Sequence, residues 1–117
     1  WVNKDGTNLP CTNLAGLNLK GLNFAKTDLF KTNLKKANLS GANLSQAYMM
    51  KTNLQGTNLE KANLKRANLR DADLTGANLT GADLRFAIFN SATLLPFSRE
   101  EAFSRGMVLE ESERRIS

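Results

Sequence analysis

Histidine is absent from these 117 residues, cysteine occurs once, proline twice, and the aromatics amount to one Trp, one Tyr and six Phe. Each shortage excludes something. Without histidine the chain lacks the commonest general base, proton shuttle and metal ligand. The single thiol, Cys11, rules out an internal disulfide and any multi-cysteine metal site. It fits a reducing compartment such as the cytoplasm. Nothing approaches the roughly 18 apolar residues of a membrane span, and no segment reads as a secretory leader, so no membrane partner is expected. Aromatics are 7% against 41% hydrophobic residues in total. The interior must therefore be filled by Leu and Ala, which suit small regular spaces. Because it begins at Trp1 and not Met, the sequence reads as a processed form, an excised domain or a tag-cleaved chain, which leaves the compartment open.

Charge is present but unevenly placed. Sixteen Lys and Arg stand against eleven Asp and Glu, a net of +5. Residues 1–96 hold twelve bases and six acids, a net of +6, whereas 97–117 hold four bases and five acids, a net of −1. A basic body attracts acidic partners, nucleic acid among them.

What the chain does have is a repeat. In steps of five from Leu9, large apolar residues recur through Leu14, Leu19, Phe24 and Leu29 to Phe89 and Leu94, eighteen positions in all. Two residues before each centre stands Ala or Thr, except at Leu17 and Leu22. One residue before stands Asn or Asp, except at Tyr48, Ile88 and Thr93. The register reads as unbroken from Thr7 to about Leu95. A period of five is neither helical nor strictly alternating. It specifies one small and one large inward residue separated by an outward polar one, which is three residues of strand. The next two residues, often Gly or Lys, are turn material.

Stretches such as Ala37-Asn38-Leu39-Ser40-Gly41, Ala62-Asn63-Leu64-Lys65-Arg66 and Ala82-Asp83-Leu84-Arg85-Phe86 carry the motif A(D/N)LXX. On these residues the chain resembles the pentapeptide-repeat family over about three quarters of its length. The resemblance implies an all-β solenoid, a right-handed quadrilateral β-helix with four pentapeptides to a square coil. Eighteen repeats then make about four and a half coils, a rod roughly 20 Å long at the inter-strand spacing of about 4.8 Å. Each centre stacks on the one twenty positions earlier. One core ladder is Leu9, Leu29, Met49, Leu69 and Phe89; another is Phe24, Leu44, Leu64 and Leu84. Family members occur in the cytoplasm, in the thylakoid lumen and as exported proteins, so the resemblance leaves localisation open. Some inhibit DNA gyrase by resembling duplex DNA in shape and negative charge. The basic repeat body here departs from that pattern.

The chain divides into a lead-in over 1–6, the β-helix over 7–95 and a capping helix with a charged tail over 96–117. Ser98 with Glu101 three residues on reads as a capping box, and Gly106 as the helix stop. Phe97, Phe103 and Met107 are expected to fold back over the last coil, since a solenoid must cover its ends. From Leu109 to Ser117 the pattern suits a frayed helix with Glu110–Arg114 and Glu111–Arg115 pairs. No comparable lid precedes Thr7. Either Trp1 packs over the first coil, or that end joins a second copy as a homodimer.

The Asn positions, in register, read as hydrogen-bonding structure and not as a ligand site. The motif breaks most at Tyr48, Met49 and Met50. Met49 keeps the inner position, while Tyr48 and Met50 face out, with Phe30 one coil below and Lys31 and Lys51 beside them. This wall has two readings: a contact surface for a protein partner, or drift on a tolerant surface. Basic residues scatter over all four sides, which disfavours nucleic acid. Asp71, Asp73 and Asp83 are too sparse for a hard cation, which needs six or more oxygens. Cys11 has no histidine to activate it. No catalytic residue, metal or cofactor is expected. The reading is a non-enzymatic interaction or scaffold module; the alternative is a nucleic-acid-related role. If the centres face inward, Leu59→Asp buries a charge in mid-stack and abolishes the cooperative thermal transition. An unchanged melting curve contradicts the assignment.

Overall fold

The computed structural model describes residues 8–111. The expectations for Trp1, for a lead-in over 1–6 and for Arg114 and Arg115 lie outside them. Within the described residues the chain winds in square coils of twenty residues. Parallel bridges run Asn13–Asn33–Asn53–Asp73, Asn18–Asn38–Asn58–Asn78, Asn23–Asn43–Asn63–Asp83 and Asp28–Tyr48–Asn68–Ile88. These four ladders are the four walls. Inside them the centres Phe24, Leu44, Leu64 and Leu84 form one column. Leu29, Met49, Leu69 and Phe89 form another, with Leu9 partly buried at its foot.

The unit around Leu54 shows why five residues suffice. Thr52 N–H closes the turn onto Met49 O at 3.3 Å; Asn53 N–H reaches Thr32 O at 3.0 Å in the coil below. Leu54 N–H donates to Asp73 O at 2.7 Å and Gly56 N–H to Thr75 O at 2.9 Å, both in the coil above. The remaining donor, Gln55 N–H, is taken by the Asn53 side-chain Oδ1 at 3.0 Å. All five N–H groups are thereby paired, as a buried or half-buried backbone requires. The Asn side chain thus works mainly inside its own repeat, as an Asx turn, and Asp28, Asp73 and Asp83 do the same because only an acceptor is needed. Asn8 is the case that spans coils, accepting from Asp28 N–H at 3.2 Å.

The small inward position has its own accounting. Ala fills it without polar atoms. Buried Thr52 and Thr57 fill it by donating their hydroxyls to Leu29 O at 2.8 Å and Leu34 O at 2.7 Å. At the second turn residue φ is positive in every turn from Cys11 to Phe86, ranging from 55° at Cys11 to 73° at Gly76. With the turn bond between first and fourth residues this is the type II arrangement, which favours Gly. Ten of these corners carry another residue, each at a cost of order 1–2 kcal/mol.

The register is broken once, contrary to the sequence reading. Asp73 bridges to Leu94, twenty-one residues on, because three residues instead of two separate Phe89 from the next inward position. Thr93 occupies that position, donating to Leu69 O at 2.9 Å. Leu94 therefore points outward, 53% exposed, and Leu95 packs against the core in its place. Buried Asn90 holds the enlarged turn, donating to Asp71 Oδ1 at 3.0 Å and accepting from Asp71 and Ala92 N–H. A pair of adjacent leucines let a strict step of five run on unnoticed.

From Ile88 on the chain makes strand β1 (Ile88–Phe89), helix α1 (Arg99–Ser104) and strand β2 (Val108–Leu109), and β2 lies parallel on β1 with Val108 opposite Ile88. Leu109 is thus strand and not frayed helix, since Val108 N–H and Glu110 N–H find Ala87 O and Phe89 O waiting. Glu110 pairs with Arg70, and Glu111 accepts from Ser91. Ser98 caps α1, its Oγ accepting Glu101 N–H at 3.1 Å. The Glu101 carboxylate turns to Arg105, 3.7 Å away, so the capping box has only its Ser98 half. Gly106, at φ 90°, ends the helix. Met107 N–H returns to Ala102 O and Gly106 N–H to Phe103 O, both at 3.0 Å, a Schellman closure. Ala102 and Met107 are buried against the stack, whereas Phe103 stays 49% exposed at its rim, its ring 5.7 Å from that of Phe89.

Removing one Asx acceptor in mid-rod isolates its contribution. Asn58→Ala is expected to lower stability by about 1 kcal/mol in chemical denaturation, because Glu60 N–H loses Asn58 Oδ1 at 3.0 Å. Asn58→Asp retains that acceptor and is expected to restore most of the loss.

Candidate interaction surface

Three of the four walls present Asn or Asp down most of the column before the centres. The wall built on Leu29, Met49, Leu69 and Phe89 instead runs Asp28, Tyr48, Asn68, Ile88 and Val108. Tyr48 is 57% exposed and Val108 is exposed. The column after the centres on this wall holds Phe30 and Met50. The two coils are locked by Leu29 N–H to Tyr48 O at 2.8 Å and Lys31 N–H to Met50 O at 3.0 Å. Phe30 and Met50 thus stand one above the other beside Tyr48.

Between them lies an open depression of about 410 Å³ lined by Asn8, Asp28, Phe30, Tyr48 and Met50. Lys31 arches over Phe30, its Nζ 5.4 Å from the ring centroid. Lys31 and Lys51 occupy the same corner of successive coils, both at φ 58°. The structure therefore brings together all five residues singled out from the sequence: Phe30, Lys31, Tyr48, Met50 and Lys51. Two other depressions differ in lining. One, at α1, is bordered by Asn78, Thr80, Glu101 and Arg105; the other by Lys20, Ser40, Glu60 and Lys61. Inside the rod, the space between Leu14, Phe24, Leu34 and Leu44 is filled.

Sequence reasoning passed over a second aromatic. Phe86 occupies a corner at φ 63°, 49% exposed, with the Arg66 guanidinium 4.9 Å from its ring centroid. An aromatic in a turn position otherwise held by Gly, charged or small polar residues and Cys11 was the available signal. At the opposite end, Leu17 is exposed and Leu22 only partly buried. Cys11 is exposed with a free thiol. Among the described residues no group of three or more His, Cys, Asp or Glu could hold a metal ion, and no helix is long and apolar enough to cross a membrane.

The basic side chains remain spread over the walls. On the Asn23–Asn43–Asn63–Asp83 wall, Arg85 binds Asp83 through both Nε, at 3.0 Å to Oδ1, and a terminal nitrogen, at 2.8 Å to Oδ2. These bonds, with the Arg85 backbone N–H, hold the Asp83 carboxyl down at about 2. The pair is exposed and contributes little to stability. Its sign is fixed: a carboxylate with a depressed folded pKa contributes above its ordinary value of 3.8, and the contribution fades as pH falls toward 2.

The pentapeptide-repeat family model matches residues 5–35, 27–66 and 67–95, in eight copies. Among solved structures, alr5209, a pentapeptide repeat protein from Nostoc PCC 7120, superposes with a TM-score of 0.81 at 31% identity, covering 88% of this chain and 84% of that one. HetL, from Nostoc sp. strain PCC 7120 and involved in heterocyst differentiation regulation, gives 0.70 at 35% identity, covering 75% of this chain and 39% of its own. Rfr23 from Cyanothece 51142 gives 0.50 at 37% identity over 74% of this chain and 63% of that one. This chain spans less than two thirds of the latter two. Comparison with the curated proteins yields no match. For the Asp83–Arg85 pair, Arg85→Ala is expected to raise the Asp83 midpoint toward 3.8, followed by carboxyl carbon NMR. A midpoint left near 2 contradicts the pairing.

Proposed function

We propose that this chain, which belongs to the pentapeptide-repeat family, is a non-enzymatic interaction module that presents its Tyr48 wall to a protein partner. The observation that carries this reading is the contiguous apolar surface of Phe30, Tyr48 and Met50 around one depression, on a solenoid whose outer columns are otherwise largely Asn, Lys, Ser and Thr. Exposed apolar surface concentrated in this way marks contact sites. Tyr and Met are suited to them, the first through a rigid amphipathic ring and the second through a soft adaptable chain.

The remainder of the chain serves this surface by making it stiff. A rod of about four and a half coils, closed at its C-terminal end by the segment that follows residue 95 with α1 as lid, holds the wall in one geometry. A rigid surface loses less entropy when it binds. A chain without histidine whose rod is packed with Leu offers no catalytic arrangement, which favours binding over turnover. HetL is involved in heterocyst differentiation regulation, a role that an interaction surface can serve.

The test is differential capture followed by reconstitution. Wild type and a Tyr48→Glu/Met50→Glu double variant are exposed to lysate of the source organism, and each protein retained by wild type alone is purified and titrated directly. A direct complex weakened by at least about tenfold in the double variant, itself folded by circular dichroism, is the expected result. Equal retention by both forms overturns the reading. Binding to duplex DNA that falls steeply with salt and ignores the double substitution supports a nucleic-acid role instead.

A further inference from the structure

The Asn or Asp before each centre exists to take the N–H of the residue after it. Among the described repeats another residue replaces that Asn or Asp at three places, and two of them are compensated. Where Ile88 replaces Asn, the freed Asn90 N–H donates to the Thr93 hydroxyl at 3.0 Å. Where Leu94 replaces it, the residue after the centre is Pro96, which has no N–H. At Tyr48 nothing substitutes: among the described residues no protein acceptor meets the Met50 N–H. One outward backbone donor is left open, and it opens beside the depression lined by Phe30, Tyr48 and Met50.

The charge around this donor has one dominant sign. The corners that flank this wall are Lys26, Gln46, Arg66 and Phe86 on one side and Cys11, Lys31, Lys51 and Asp71 on the other. None of Lys26, Lys31, Lys51 or Arg66 makes an ion pair among the described residues. The carboxylates are accounted for locally. Asp28 Oδ1 accepts Phe30 N–H at 3.0 Å, and Asp71 Oδ1 accepts from Asn90 Nδ2 at 3.0 Å.

An open donor, an apolar depression and four unpaired cations specify complementary chemistry. We infer that the Tyr48 wall binds a protein segment in which an acidic side chain adjoins an aromatic or aliphatic one. The acidic carboxylate takes the place of the missing Asx oxygen on Met50 N–H, under the field of Lys31 and Lys51. The apolar neighbour enters between Phe30, Tyr48 and Met50. Charge-assisted bonds to a backbone donor are the stronger kind, and the flanking lysines speed encounter with an acidic segment. This inference rests on the wall being a binding face and adds the chemical class of what it binds.

The test uses the whole chain and a displayed library of random peptides. Selection runs on wild type, with counter-selection on Tyr48→Asn, a substitution that restores the motif and closes the donor. The expected peptides carry Asp or Glu next to an aromatic or aliphatic residue and are lost on Tyr48→Asn. They weaken by at least about tenfold against Lys31→Glu/Lys51→Glu and move the Met50 amide proton downfield when bound. Peptides that depend on the wall but are neutral or basic overturn this inference and leave the binding face standing. Retained peptides that ignore Tyr48→Asn overturn both. Tyr48→Asn is expected to melt at or above the wild-type temperature; a lower value overturns the assignment of Met50 N–H as an unfilled Asx donor.

Discussion

Everything in this molecule depends on the pairing of backbone donors between coils separated by twenty residues. A pentapeptide is too short to bury its own strand, and no unit here has a partner within itself beyond one turn bond and one Asx bond. Three of every five N–H groups are satisfied only by a neighbouring coil. Each coil therefore stabilises the next in one dimension, as in other solenoids. The Leu columns fill the square that the ladders enclose, and the Ala or Thr column sets how closely the corners approach.

The same accounting explains where the motif can vary. Asp substitutes for Asn freely because the turn asks only for an acceptor. Thr substitutes for Ala at the small position because its hydroxyl finds a carbonyl in the coil below. Even an extra residue after Phe89 is absorbed, since Asn90 and Thr93 take over the orphaned groups. The C-terminal segment obeys the rule as well. Arg105 reaches Leu79 O at 2.6 Å, and β2 supplies the coil that β1 lacks. Against this background an uncompensated donor at Met50 is conspicuous, and it coincides with the one wall that carries Phe, Tyr and Met together.

Legibility differed by residue. The inward positions could be read from period alone, because large apolar residues at every fifth position must share one side of the strand, and the family resemblance, with four repeats to a coil, sorted them into columns. The grouping of Phe30, Lys31, Tyr48, Met50 and Lys51 followed from the same arithmetic, since a coil of twenty places residues eighteen to twenty apart on one wall. Leu94 was misplaced because Leu95 beside it is equally apolar and Ala92 and Thr93 are equally small. Only the hydrogen bonds of Asn90 distinguish the two registers. Phe103 was assigned to the buried side of α1 by hydrophobicity, yet the helix meets the stack through Ala102, whose small side chain allows close approach, and the ring stays at the rim against Phe89.

By itself the sequence determined the repeat of five, the residues that face inward and the place in the repeat where the aromatic break falls. These are consequences of spacing, and spacing is local information; the coil of twenty that sorts them into columns and walls came with the family resemblance. The tertiary structure decided the inserted residue after Phe89, the strand at Val108–Leu109 and the open N–H of Met50. Each of those depends on whether a particular donor finds an acceptor one coil away or across a turn. No single repeat contains both partners, so no reading of repeats one at a time could have settled them.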